Sequence, residues 1–153
     1  MPEAAHRPAD ADYAARVQAS FARQRAMATL GISLLRVEPG EVELEMPYNI
    51  DFCQQHGFLH AGTVTTAIDS ACGYAAYSLM PADAEVLSIE FKINLLAPAK
   101  GERFRFIGRV VKAGRTISNV RGEAFASEPG RERLIATMDG TMMTLRERGA
   151  AAG

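Results

Sequence analysis

Residues 54–80 read QQHGFLHAGTVTTAIDSACGYAAYSLM. The stretch opens as a short loop and continues as one long apolar helix, expected from about His60 to Leu79. Val64, Ala67, Ile68, Ala71, Cys72, Ala75 and Leu79 recur at helical spacing and form a core stripe. Gly62, Thr66, Asp69, Gly73 and Ala76 alternate in steps of four and three, so they share a second face of small or polar side chains. Asp69 is the only charge in this helix. A lone carboxylate in such a setting is costly unless it is paired or functional. The lack of bulk around it leaves room for close approach by another backbone or a ligand.

The flanks supply strands. Upstream, Ala11–Ala28 is expected to be helical and Gly31 to end it. Ile32–Glu38 reads as a strand and Pro39-Gly40 as a turn. Val42, Leu44 and Met46 then alternate with Glu41, Glu43 and Glu45, the pattern of a strand with one wet face. Downstream, Pro81 is expected to stop the helix and the period changes to two. Leu87, Ile89, Phe91, Ile93 and Leu95 alternate with Ser88, Glu90, Lys92 and Asn94. Strands are expected over Arg103–Lys112, Arg115–Ser127 and Arg133–Leu145, separated by Ala113-Gly114 and Glu128-Pro129-Gly130. Neighbouring strands with short turns pair antiparallel by default. The expectation is an α+β fold, an antiparallel sheet with one long buried helix against it. The chain suits a single domain over residues 1–153, with loose ends at 1–10 and 146–153.

Composition narrows the functions. Hydrophobic residues make up 48%, enough for a real core, and 17 basic against 18 acidic residues give no electrostatic case for nucleic acid. Cys53 and Cys72 form neither a CxxC pair nor a metal spacing with the histidines, so no metal site is expected. No basic n-region precedes an apolar run at the N-terminus, so a secretory signal is not expected. Ala61–Met80 is rich in Ala, Thr, Ser and Gly, and a central Asp would cost about 3 kcal/mol in a bilayer. A buried helix in a soluble protein is the simpler reading, and a cytoplasmic location is expected.

Three features in the opening stretch bear on chemistry. The first-turn N–H groups around Ala61 and Gly62 form a preset anion site at the positive end of the helix, suited to an oxyanion from an acyl carbonyl. Gln54 and His60 flank the loop and can orient a carbonyl or a water. Asp69 lies eight residues beyond Ala61, about 12 Å along the axis. That is too far for the two to act on one carbonyl. If both are catalytic, they come from two copies of the chain, and a symmetric dimer would make two equal sites. Taken singly, His60 bonded to backbone and Asp69 accepting bonds from a neighbouring loop are equally ordinary.

Gln54, His60-Ala61-Gly62 and Asp69, entering a long apolar helix, resemble the hotdog-fold acyl-CoA thioesterases, in particular the PaaI-like branch. Leu87-Ser88-Ile89-Glu90-Phe91, Leu96-Ala97-Pro98-Ala99-Lys100-Gly101 and Lys112-Ala113-Gly114-Arg115-Thr116 extend the resemblance over about Gly31–Leu145. It implies a sheet wrapped around the helix, a homodimer joined edge to edge, often doubled to a tetramer, and active sites at the subunit interface. It implies Asp69 as the catalytic carboxylate and the Ala61 N–H as the group polarising the thioester carbonyl. Gln54 would orient water or carbonyl, His60 would shape the loop, and Ser88 would support the site. Gly62 would help bind substrate, and Lys112 and Arg115 would meet coenzyme A phosphates. No cofactor is implied, since coenzyme A is part of the substrate.

The chain departs from the pattern twice. Many relatives carry His-Gly-Gly where this chain has His60-Ala61-Gly62, and several PaaI-like members carry Asn at the position of Gln54. Two other readings stand beside hydrolysis. One is a non-catalytic acyl-CoA-binding module, which the ionisable Asp69 disfavours. The other is a hydroxyacyl-thioester dehydratase pairing His60 with Asp69, which the helical separation of about 13 Å disfavours within one chain.

Overall fold

The computed structural model describes residues 5–146. Helix α1 (Tyr13–Arg23) and the short α2 (Arg25–Leu30) precede strands β1 (Ser33–Glu38) and β2 (Glu41–Pro47). A single 3-10 turn at Ile50–Phe52 leads to the loop and to α3 (Ala61–Tyr77). Four long strands follow: β3 (Ala84–Leu95), β4 (Arg103–Ala113), β5 (Ile117–Glu128) and β6 (Arg131–Arg146). All six strands form one antiparallel sheet in the order β1-β2-β4-β5-β6-β3. The α+β expectation holds, and so does the antiparallel run β4-β5-β6. β3 is the exception to neighbour pairing. It lies beyond β6, with its other edge unpaired among the described residues, while β2 takes the place beside β4.

The core lies between α3 and the sheet. Val64, Ala67, Ile68, Ala71, Cys72 and Ala75 are fully buried against Leu44, Phe104, Phe106, Met138 and Met142. The helix comes down onto the strand backbones. A Cβ at Gly108 would stand 2.3 Å from the Ala71 carbonyl carbon, and one at Gly122 would stand 2.3 Å from Ile68 Cγ2. Only glycine leaves room for that approach.

Several boundaries differ from the expected ones. α3 ends at Tyr77, capped by Ser78, three residues short of the Pro81 stop. Its last carbonyls accept from the turn that follows, Ser78 N donating to Tyr74 O, Leu79 N to Ala76 O and Met80 N to Tyr77 O. The Arg16 guanidinium fastens that turn, donating to Met80 O at 2.7 Å and stacking over the Tyr77 ring. The N-terminal helix is broken at Gln24, whose backbone is extended, although neither Pro nor Gly marks the break. Residues 5–10, read as loose, are tied to the body: His6 Nε2 lies 3.0 Å from Val110 O, and Ala9 N donates to Leu79 O. Arg146, placed in the C-terminal tail, is the last residue of β6 and pairs with Ala84. The remainder of both expected tails falls outside the described residues.

The clean alternation of β3 does not produce one buried apolar face. The pairing steps from Ser88↔Met142 to Glu90↔Thr141, so Ile89 is an extra, bulged residue. Such a bulge exchanges the two faces. Before it, Ser88 shares a rung with buried Met142 and Ser118, on the helix side. Leu87 lies on the outer side and is 50% exposed. After the bulge, Ile93 pairs with buried Met138 on the helix side.

Candidate active site

The loop before α3 is fastened at both ends. His60 N donates to Phe52 O, Leu59 N to Ala99 O, and Thr63 Oγ1 to Phe52 O. His60 is the N-cap, and its Nδ1 accepts from the Gly62 N–H at 2.8 Å. Thr63 N and Val64 N both donate to His60 O. Of the four first-turn donors, three are therefore engaged within the turn. Of these four, only the Ala61 N–H has no acceptor among the described residues. The anion site is narrower than the sequence suggests, because Gly62 spends its donor on the cap.

Gln54 is turned inward. Its Oε1 accepts from His56 N at 2.5 Å and from Phe58 N at 3.4 Å, which ties the loop and leaves the amide nitrogen as its available group. Gln54 and Ala61 line one groove of about 420 Å³ together with Phe58, Val64, Leu96 and Pro98.

Asp69 opens onto a different groove, of about 360 Å³, between α3, α1 and the first residues of β3. It is half-buried, and Ser88 Oγ lies 2.7 Å from its Oδ1, within donating distance. The β3 bulge is what turns Ser88 toward the helix to reach it. The far wall of this groove escaped the sequence reading. Tyr74 Oη donates to Gln24 Oε1 at 3.1 Å, Gln24 Nε2 donates to Ser70 Oγ at 3.3 Å, and Ser20 Oγ lies 3.3 Å from Tyr74 Oη. Burial pushes the Tyr74 phenol above its ordinary range. The only trace in the sequence is a Gln within an alanine-rich helix, which carries no signal until the helix is seen to break there.

The structure thus brings together Asp69 with Ser88, and Gln54 with Ala61, but not the two pairs with each other. Gln54 and Ala61 lie at the N-terminus of α3 and Asp69 at its midpoint, in separate grooves. Lys112 and Arg115 are exposed around the β4–β5 turn, which Thr116 O ties to Thr144 N at the Ser88 end of the sheet. Phe58 lines the Ala61 groove and Tyr74 the Asp69 groove, whereas Tyr77 and Phe52 pack into or against the core. Burial pushes the Cys72 thiol well above its ordinary range, first by desolvation and then by the Asp69 charge, so it is no nucleophile. Among the described residues no three His, Cys, Asp or Glu side chains cluster as metal ligands, and no helix is long and apolar enough to cross a membrane.

A long helix packed against an antiparallel sheet, an open helix N-terminus and a groove-facing carboxylate define a hotdog thioesterase architecture. Residues 56–132 match the model of the thioesterase superfamily, and the chain belongs to that family, a class of thioester hydrolases. A thioesterase family protein from Silicibacter pomeroyi is 57% identical, with a TM-score of 0.87 over 88% of this chain and 98% of that one. A Saccharolobus solfataricus protein bearing an esterase name is 32% identical over 77% of this chain and 76% of its own length. A second from the same organism is 34% identical, and the match spans 62% of its length. The E. coli PaaI protein from the phenylacetic acid degradation operon shares the fold, with a TM-score of 0.79 at 16% identity.

Proposed function

We propose that the protein hydrolyses an acyl-CoA thioester to a carboxylate and free coenzyme A, at sites shared between two subunits. The observation that carries this reading is the split site: a carboxylate in one groove and a single free first-turn N–H in another, set along an edge strand. Leu87, Ile89, Phe91 and Leu95 on that strand are each 42–55% exposed. An unpaired, apolar edge invites a second copy. Antiparallel pairing of two β3 edges about a two-fold axis would set the Glu85–Ser88 end of one subunit against the partner's Leu95. The Asp69 groove would then adjoin the partner's Ala61.

In the joined site the Ala61 N–H polarises the thioester carbonyl and stabilises the charge that develops on it. The Gln54 amide nitrogen offers a second donor, and His60 holds the turn in shape. Ser88 bonds Oδ1 of Asp69, which leaves Oδ2 to act. Two courses are open to it. Oδ2 adds to the carbonyl carbon, the C–S bond breaks with loss of coenzyme A thiolate, and water hydrolyses the resulting anhydride. Alternatively Oδ2 takes a proton from the water that attacks. Label from solvent oxygen found in Asp69 after a single turnover marks the first course. No cofactor of the protein's own takes part. We place the reaction in the cytoplasm, where the two free cysteines stay reduced.

The decisive experiment combines two inactive variants. Asp69→Asn removes the carboxylate and Ala61→Pro removes the N–H. Each alone is expected to lower kcat on a panel of aryl and fatty acyl-CoAs by about a hundredfold or more. After subunit exchange, half of the dimers are hybrids, each with one intact site, so about a quarter of wild-type activity should return. Activity that does not return in a mixture shown to contain hybrids places both groups in the same chain's site and rejects the shared one. Acyl-CoA binding without turnover by the wild type would favour the binding-module reading instead.

A further inference from the structure

On the outer face of the sheet the arginines are neutralised. Arg36 and Arg109 meet Glu41, Arg103 meets Glu45, Arg105 meets Glu43 and Glu132, and Arg121 meets Asp139. Three cations at the end of the sheet near Ala61 depart from this pattern. Lys100, Arg131 and Arg133 line one small cavity of about 130 Å³, with Ala126 and Glu128. Among the described residues none of the three forms an ion pair, Glu128 included.

Their position follows from the register. Phe104 pairs with Ala126, and Ala126 with Arg133, on one rung. Phe104 and Ala126 are buried on the helix side, so Arg133 is on that side too, and Arg131, two residues away, shares it. Arg133 Nη2 donates to Pro98 O at 3.0 Å. Pro98 and Ala99 also line the Ala61 groove, and Lys100 is the next residue. The cation pocket therefore adjoins, through residues 98–100 and the Arg133–Pro98 bond, the groove that begins at the Ala61 N–H. Two guanidiniums and an ammonium around a small cavity suit phosphate oxygens.

We infer that Lys100, Arg131 and Arg133 hold the phosphate groups of coenzyme A, in place of Lys112 and Arg115. The inference rests on the thioesterase reading for the identity of the ligand. The arm of the ligand then runs along the Ala61 groove, past Leu96 and Pro98, and its phosphates emerge at the cations.

Titration calorimetry with coenzyme A and with pantetheine, which lacks the phosphates, tests it. The samples are wild type, Lys100→Ala with Arg131→Ala, Arg133→Gln, and Lys112→Ala with Arg115→Ala, each confirmed folded by circular dichroism. Both pocket variants should weaken coenzyme A about tenfold or more and leave pantetheine unchanged. Inorganic phosphate should compete with coenzyme A in the wild type only weakly, because it lacks the arm. Unchanged coenzyme A affinity in the pocket variants overturns the inference. So does equal weakening of both ligands, or a loss confined to the Lys112 and Arg115 variant. Hydrolysis is scored separately on the same samples. Coenzyme A bound through the pocket with no thioester cleaved leaves the inference standing and removes the hydrolase reading.

Discussion

At the residue scale, Ala61 separates fold from chemistry. Its N–H is the one first-turn donor left unengaged, and it sits at the first helical position. Proline is well tolerated there, because the lost N–H has no partner within the helix. His60 already has φ −60° and ψ 141°, the backbone that a residue before proline prefers. Ala61→Pro should therefore leave the melting temperature within about 2 °C of wild type while kcat falls about a hundredfold. Thermal unfolding and steady-state kinetics on one preparation check both halves. A loss of stability matching the loss of rate would sink the oxyanion role. Ser88→Ala is expected to be milder, about tenfold in kcat, because Asp69 keeps its charge and loses one bond.

At the scale of elements, two contacts decide how helix and sheet hold together. α3 rests on the backbone of β4 at Gly108, where an added methyl would meet the Ala71 peptide at 2.3–2.4 Å. Backbone cannot rotate away as a side chain can, so Gly108→Ala should cost about 3 kcal/mol, measured by urea unfolding. The outer face depends on paired charge instead. The Arg105 guanidinium holds the Glu132 carboxyl below its ordinary 4.5. Burial pushes Glu41 up, but Arg36 and Arg109 outweigh it and bring it below 4.5 as well. Both carboxylates bind protons less readily folded than unfolded. Their stabilisation is therefore present above about pH 4.5 and is lost as pH falls through the depressed folded values. Melting temperature should decline as pH drops below about 4.5, and 0.5 M salt should flatten the decline, because these pairs face solvent.

At the scale of the molecule, β3 matters most. The Asp69 groove adjoins the first half of this edge strand and the Ala61 groove its end at Leu95, so the proposed shared site calls for a second β3. Leu87→Lys combined with Ile89→Lys places charge on the edge without disturbing the core, since both side chains are about half exposed. The double variant should run as a folded monomer in light scattering and lose thioesterase activity, although Asp69, Ala61 and Gln54 are intact. Activity retained by a monomer would place the whole site within one chain.

Much of this was legible in the residues. Periodicity alone marked α3, the wet outer face of β2 and the meander β4-β5-β6, because helical and strand repeats each put apolar groups on one side. The unique charge at Asp69 and the arithmetic of helical rise separated it from Ala61 before any coordinates. Other features depended on partners far away in the chain. The break at Gln24 is held by Ser70 and Tyr74, and the turn after α3 by Arg16, neither of which leaves a local signal. The β3 bulge shows only in its register against β6, and it turns Ser88 to Asp69 while leaving Leu87 outside. The same holds for the donors. Sequence located the open helix end, but the count of free N–H groups depended on the His60 ring turning back onto Gly62. Local propensity and pattern determined the elements and the reactive groups. Strand order, register and side-chain bonds between distant segments decided which of those groups meet.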